Sequence, residues 1–270
     1  MHNLNEKIIF VTGGANGIGK SIVQEFLKYG AKVAFLDIDE NSGIALEAEL
    51  KSTFGDVQVM FIRGDVTIDD DLFGAYDKIL KEYGTLDVLV NNAGIADESP
   101  SMYKKEIEIN FTATVTSTLK ALEIMREDLG GRGGTIINIS SIVAVKLLSP
   151  DFFIYAATKT AVLHFSNCIG MIQYYQRTKV RVIAVCLGGT QSDLHENARM
   201  FDNTITMDEI IETYKNFGPS QTSAVAAKGI IESYINGESG STWLVNSCKI
   251  TDISANIREG YMVMGQDADA

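Results

Sequence analysis

Tyr155 and Lys159 stand four residues apart in a segment, Phe153–Gln176, whose apolar spacing predicts a helix, so the two share one helical face. An ammonium beside a phenol favours the phenolate and lowers the tyrosine pKa from its usual value near 10. Such a tyrosine can exchange a proton with an alcohol at neutral pH. Ser141, just past an apolar strand-like run, can hydrogen-bond the same substrate oxygen. Asn110, in a long helical stretch, can anchor a water that connects Lys159 to solvent. Each residue alone has a plainer reading: a core aromatic, a solvated lysine, a loop serine, a polar group that bends a helix. Their combination points to proton transfer.

A second constellation lies near the start of the chain. Thr12-Gly13-Gly14-Ala15-Asn16-Gly17-Ile18-Gly19 joins an apolar run, Lys7–Thr12, to a helical pattern beginning at Gly17. Glycines there permit a sharp turn and let backbone N–H groups approach a pyrophosphate at the positive end of a helix dipole. The expected ligand is a dinucleotide, held by Gly13, Asn16, Gly17, Ile18 and Gly19. Asp37 ends the second strand-like run. A carboxylate in that place accepts hydrogen bonds from ribose hydroxyls and repels a 2′-phosphate, which favours NAD over NADP. Asp39 is its rival. The alternative for both is a solvated acidic turn. Asp65 and Val66 follow the third strand, where an adenine can be read or a helix merely capped. Asn92, Ala93 and Gly94 follow the fourth, where small residues let a cofactor lie across the strand tips.

These groups need a scaffold, and the pattern supplies one. Strand-like runs (Lys7–Thr12, Lys32–Leu36, Val57–Ile62, Leu86–Val90, Thr135–Ile139, Val180–Val185 and Thr242–Val245) alternate with helical ones. The helices are Gly17–Tyr29, Glu40–Phe54, Asp69–Tyr83, Tyr103–Leu129, Phe153–Gln176 and Ser223–Ile235. Strands apolar throughout and separated by helices imply a parallel sheet covered on both faces. No linker-like change of composition divides the chain, so residues 1–256 are expected as one doubly wound α/β domain. A looser lid is expected near 188–218 and a polar tail over 257–270. With 46% hydrophobic residues in 270, a full core can be buried.

A net charge of −12 disfavours nucleic acid and anionic membrane surfaces as partners. No apolar run approaches the ~18 residues of a membrane span, and the start reads as no signal peptide. Three widely spaced cysteines suggest neither a disulfide framework nor a metal site, which fits a cytoplasmic protein.

The set Thr12–Gly19, Asn91–Gly94, Asn110, Ser141 and Tyr155-x-x-x-Lys159 resembles the short-chain dehydrogenase/reductase family, over about Lys7 to Val245. The resemblance implies a Rossmann-type fold with a parallel seven-stranded sheet. It also implies a tetrad of Asn110, Ser141, Tyr155 and Lys159. Tyr155 would be the general acid/base; Lys159 would lower its pKa and hold the nicotinamide ribose. Ser141 would position substrate, and Asn110 would support a proton relay. Gly240–Val245 is similar to insect-type alcohol dehydrogenases and NAD-dependent hydroxyprostaglandin dehydrogenases. The family also implies a homodimer or homotetramer, often formed through the two long helices.

Two departures stand out. Leu187 replaces the usual proline ahead of Gly188, Gly189 and Thr190, so that loop is expected to be less rigid, while Thr190 still offers a hydroxyl. The Ser141–Tyr155 interval is one residue longer than common, which keeps Ser140 as an alternative. The pocket walls are expected to be Ile95, Ala96, Ile142, Val143, Val145, Leu147, Leu148, Phe152 and part of 188–217. Met200, Phe201 and Met207 form a lid or pack as an ordinary loop, and His195 is a loop residue that can reach substrate. That lining favours an apolar primary or secondary alcohol, or its carbonyl. The competing reading is a non-catalytic dinucleotide-binding or interaction protein on the same scaffold.

Overall fold

The computed structural model describes residues 2–147, 152–192, 194, 197–202, 204, 209, 215 and 218–266. Strands β1 (Ile8–Thr12), β2 (Lys32–Asp37), β3 (Val59–Arg63), β4 (Val88–Asn91), β5 (Gly134–Ser141), β6 (Val180–Leu187) and β7 (Ser241–Asn246) pair in parallel. Their order across the sheet is β3-β2-β1-β4-β5-β6-β7. The order in which strands are added across the sheet reverses between β1 and β4, which opens a crevice at the carboxyl ends of the strands.

Period-two alternation divides the core. Ile9, Val11, Val33, Phe35, Val90 and Ile137 face one layer, with Ile22 and Phe26 of α1 (Gly17–Lys28) and Ile230 of α8 (Ser223–Asn236). Ile8, Phe10, Ala34, Leu36, Leu89 and Ile136 face the other, with Leu72 and Tyr76 of α3 (Asp69–Tyr83) and Leu122 of α5 (Ala113–Met125). Helix α2 (Glu40–Phe54) starts at Asp39, whose carboxylate accepts from Ser42 N.

The sheet has eight strands where the sequence suggests seven. Strand β8 (Lys249–Asp252) is antiparallel to β7, because Ser247 and Cys248 both take positive φ (51° and 62°) and turn the chain back within two residues. Its pattern is short and half polar, as edge strands are, and carries little periodicity. Most of the segment expected as a polar tail is a helix, α9 (Ser254–Gly265). Ile257 packs with Leu163, Ala184 and Cys186, and Tyr261 meets His164 edge-on.

Both long helices are interrupted. The first splits into α4 (Tyr103–Ile107), a π-helical turn at Glu108–Thr112, α5, and a 3₁₀ turn at Glu127–Leu129. The second breaks at Gly170 into α6 (Phe153–Ile169) and α7 (Ile172–Thr178). A Cβ on Gly170 would lie 2.6 Å from Gly240 Cα, so close backbone contact fixes the break there.

Candidate active site

A cleft of about 720 Å³ lies at the crevice. Gly13, Asn16, Gly17, Ile18, Gly19, Asp37, Asp65, Val66, Asn92, Ala93 and Gly94 line it, as do Gly188, Gly189 and Thr190. Ser141, Tyr155 and Lys159 line it too, with Ile95, Val143 and Phe152. The structure therefore gathers these sequence-predicted residues around one cavity; Asn110 lies behind its wall.

The glycine turn is shaped for an anion. Asn16, the residue ahead of α1, makes no side-chain capping bond to the helix, and its amide donates to Asp39 Oδ2 at 3.0 Å. The first turn of α1 carries no acidic side chain, and its amide end borders the cleft. Gly19 is required: a Cβ there would meet Gly13 O at 1.8 Å. Asn92 ties the turn to β4 by donating to Thr12 O (3.0 Å) and Gly13 O (2.9 Å).

The two acidic rivals separate. Asp39 is spent on capping α2 and on Asn16. Asp37 accepts from Ala15 N at 2.9 Å and Asp39 N at 3.0 Å, which holds its carboxylate at the tip of β2 beside the cleft. Asp65 accepts from the amide and hydroxyl of Thr67, and Lys105, which sequence reasoning did not single out, reaches both residues from α4.

At the other end, Lys159 Nζ lies 5.7 Å from the centre of the Tyr155 ring, one helical turn away on α6. It donates to Ile139 O at 3.2 Å and is 4% exposed. Burial pulls its pKa down to about 8, against the opposing pull of Glu106 and Cys186. Asn110 sits in the π-helical turn, fully buried. Its Oδ1 accepts from Ile95 N at 2.9 Å, and its Nδ2 donates to Ile95 O at 2.9 Å and faces Glu106 Oε1 at 3.4 Å. Wide π turns recur at functional sites, where they aim one side chain out of helical register. Beneath them Asn91 donates to Asn138 Oδ1 and Asn138 to Ser166, which links β4, β5 and α6.

The two serines diverge. Ser140 is turned inward and its hydroxyl donates to Lys159 O at 2.8 Å. Ser141 caps the 3₁₀ turn Ile142–Ala144 loosely, accepting from Val143 N at 3.4 Å; both serines line the cleft, but only Ser140 spends its hydroxyl on the Lys159 carbonyl.

Thr190 lines the cleft as expected of its place in the chain, and its hydroxyl donates to Gly188 O at 2.9 Å and accepts from Gln221 Nε2 at 3.2 Å. Several sequence expectations need correction. The loop lacking proline is pinned rather than loose. Gln221, 1% exposed, also donates to Val245 O and accepts from Cys248 N, while its backbone pairs with Gly189 and Gln191. Nothing in local periodicity marks a glutamine 34 residues past Leu187 as that clamp. Val145 does not face the cleft but packs near Ala184 and Cys186, and Leu147 is fully exposed. Leu148, His195, Met207 and Phe217 lie outside the described residues. Arg199 lies opposite Asp97 in a parallel bridge, donating to Ala96 O and accepting from Glu98 N, and Phe201 meets the rings of Tyr103 and Phe153, so this part of the lid is stitched to α4 and α6.

The short-chain dehydrogenase model matches residues 7–203, which contain the turn, the tetrad and the lid's first part. The chain belongs to the short-chain dehydrogenase family. Rat 15-hydroxyprostaglandin dehydrogenase [NAD(+)] is 32% identical over 84% of this chain and 85% of its own. Mouse L-fucose dehydrogenase is 36% identical over 70% of this chain and 67% of its own. A short-chain dehydrogenase/reductase from Burkholderia phymatum, solved in complex with NAD, superposes with a TM-score of 0.78 at 17% identity, covering 98% and 97% of the two chains. A short-chain dehydrogenase fold, with its oxidoreductase scaffold, is thereby established for this chain.

Proposed function

We propose that this short-chain dehydrogenase moves a hydride between NAD and an apolar primary or secondary alcohol, or the corresponding carbonyl, with Tyr155 as general acid/base. The observation that carries the reading is the placement of Lys159 Nζ 5.7 Å from the Tyr155 ring, both lining the cleft. A buried cation there stabilises the phenolate that must take the alcohol proton. Ser141 is the group placed to hold the substrate oxygen. Asn110 fixes Ile95 at the wall by two hydrogen bonds to its backbone.

The residues fit a dinucleotide. The amide end of α1, the absent side chain at Gly19 and the Asp37 carboxylate would receive pyrophosphate and adenosine ribose, and Asp37 selects against a 2′-phosphate. Bound NAD would supply the hydride acceptor. Asp65 and Val66 would border the adenine, and Gly188 and Gly189 would lie beside the nicotinamide.

Ile95, Val143 and Phe152 support an apolar substrate. Exposed Leu119 on α5 supports a homodimer or homotetramer through the two long helices. The cysteines are free thiols, which suits the cytoplasm; among the described residues no helix is long and apolar enough to cross a membrane.

The test is Tyr155→Phe, assayed with a panel of aliphatic, terpenoid and steroid alcohols and with NAD and NADP in parallel. NAD binding is expected to persist while turnover is lost. Unchanged turnover refutes the assigned role.

A further inference from the structure

Behind the tetrad lie two carboxyl groups that the reading above does not use. Glu98, in the loop before α4, and Glu106, on α4, are each 0% exposed. Glu98 Oε1 accepts from Tyr155 N at 2.6 Å, and the amides of Ile154 and Phe153 also stabilise its charge, so it closes the first turn of α6. Glu106 stands four residues before Asn110, and its Oε1 faces Asn110 Nδ2. The remaining oxygen of each, Oε2, finds no hydrogen-bond partner among the described residues. Two buried carboxylates with orphan oxygens are costly unless one holds a proton.

Their surroundings decide which. Burial pushes Glu98 up as well, but three helix amides, those of Tyr155, Ile154 and Phe153, stabilise its charge; Glu106 has the single backbone amide of Asp97 and faces the charges of Glu98 and Asp97 from the loop. The cation opposite is Lys159 on α6, and Cys186 on β6 flanks that amine. Burial first, then repulsion by Glu98, lifts Glu106 to about 8, where Lys159 also titrates. The two groups must therefore lose protons as a coupled pair.

We infer that Glu106 is a proton buffer for Lys159: it rests as a neutral carboxylic acid while Glu98 carries the charge, and it ionises ahead of the lysine. The step moves one proton and no electrons. The O–H bond of Glu106 breaks, its proton passes to solvent, and the new carboxylate holds the Lys159 proton in place. The amine thus stays cationic beneath Tyr155 to a higher pH than burial alone would allow. Glu106 is a positioning residue acting through Lys159. Its value to catalysis rests on Tyr155 being the acid/base, but its titration does not.

The test uses the full chain without dinucleotide or turnover. Infrared spectra at pH 7 are expected to contain a protonated carboxylic-acid band that Glu106→Gln removes. Lysine labelled with ¹³C at Cε, with Lys159 assigned by Lys159→Met, is followed by NMR against pH. Glu106→Gln is expected to lower the Lys159 titration by about one pH unit or more. Glu98→Gln is expected to lower the titration of Glu106 instead and leave that of Lys159 undiminished. Opposite targets for two neighbouring variants are not what a loss of packing produces. Absence of the acid band in the native protein, or an unmoved Lys159 in Glu106→Gln, overturns the inference. Should Glu106→Gln not fold, the band and its behaviour in Glu98→Gln decide alone. Tyr155→Phe turnover tests the catalytic reading separately.

Discussion

The Ser140 hydroxyl donates to the carbonyl oxygen of Lys159 at 2.8 Å, tying the end of β5 to the helix that carries the lysine. That bond separates the roles of adjacent serines. Ser141→Ala is expected to lower kcat/KM about a hundredfold, the order for loss of a donor to a reacting oxygen. Ser140→Ala is expected to lower kcat/KM far less and unfolding stability by about 1 kcal/mol. Steady-state kinetics beside urea titration separates the two.

Gly19 and Gly13 meet so closely that one methyl group decides binding. Gly19→Ala places carbon 1.8 Å from Gly13 O and must push the turn apart. NADH affinity, measured by fluorescence, is expected to fall by about tenfold or more, about 1.4 kcal/mol.

Asp37 is held at the cleft by two backbone amides, which fixes its charge at the tip of β2, where the proposed reading puts the adenosine ribose. Asp37→Ala is expected to reduce the preference for NAD over NADP by about tenfold or more. The ratio of kcat/KM values with the two cofactors is the measurement. An unaltered ratio would assign the discrimination elsewhere.

Gln221 replaces a missing proline by hydrogen bonding. Gln221→Leu leaves the buried Thr190 hydroxyl and Val245 carbonyl each without this partner. Unfolding free energy is expected to drop by about 2 kcal/mol, and nicotinamide-dependent turnover is expected to fall as the loop loosens. Equilibrium urea unfolding reads the first effect.

Glu106 also links stability to pH. Its pKa rises from 4.5 unfolded to about 8 folded, chiefly through burial and then through Glu98. Between these values the folded protein holds a proton that the unfolded chain has lost. This group's contribution is therefore full below pH 4.5 and declines as pH rises toward 8. Urea midpoints measured across that window are expected to decline more steeply with pH in the native protein than in Glu106→Gln.

The sequence by itself determined the alternation of apolar strands and helices, the glycine turn, and Tyr155 and Lys159 on one helical face. Each is a local pattern, set by backbone geometry and by spacings of two to four residues. It also marked Asp37, because a strand's end is legible where an apolar run stops at a charge. Only the tertiary structure decided what depends on contacts across tens of residues. Ser140 turns to Lys159, Asp39 turns to Asn16, and Gln221 reaches back to Thr190. The eighth strand and α9 were hidden for the same reason: a half-polar edge strand and a weakly amphipathic helix become stable only against β7 and α6. No motif or spacing in the sequence singles out Glu98 or Glu106. Folding removes both from water beside a buried amine, and low dielectric there, rather than residue type, makes them matter.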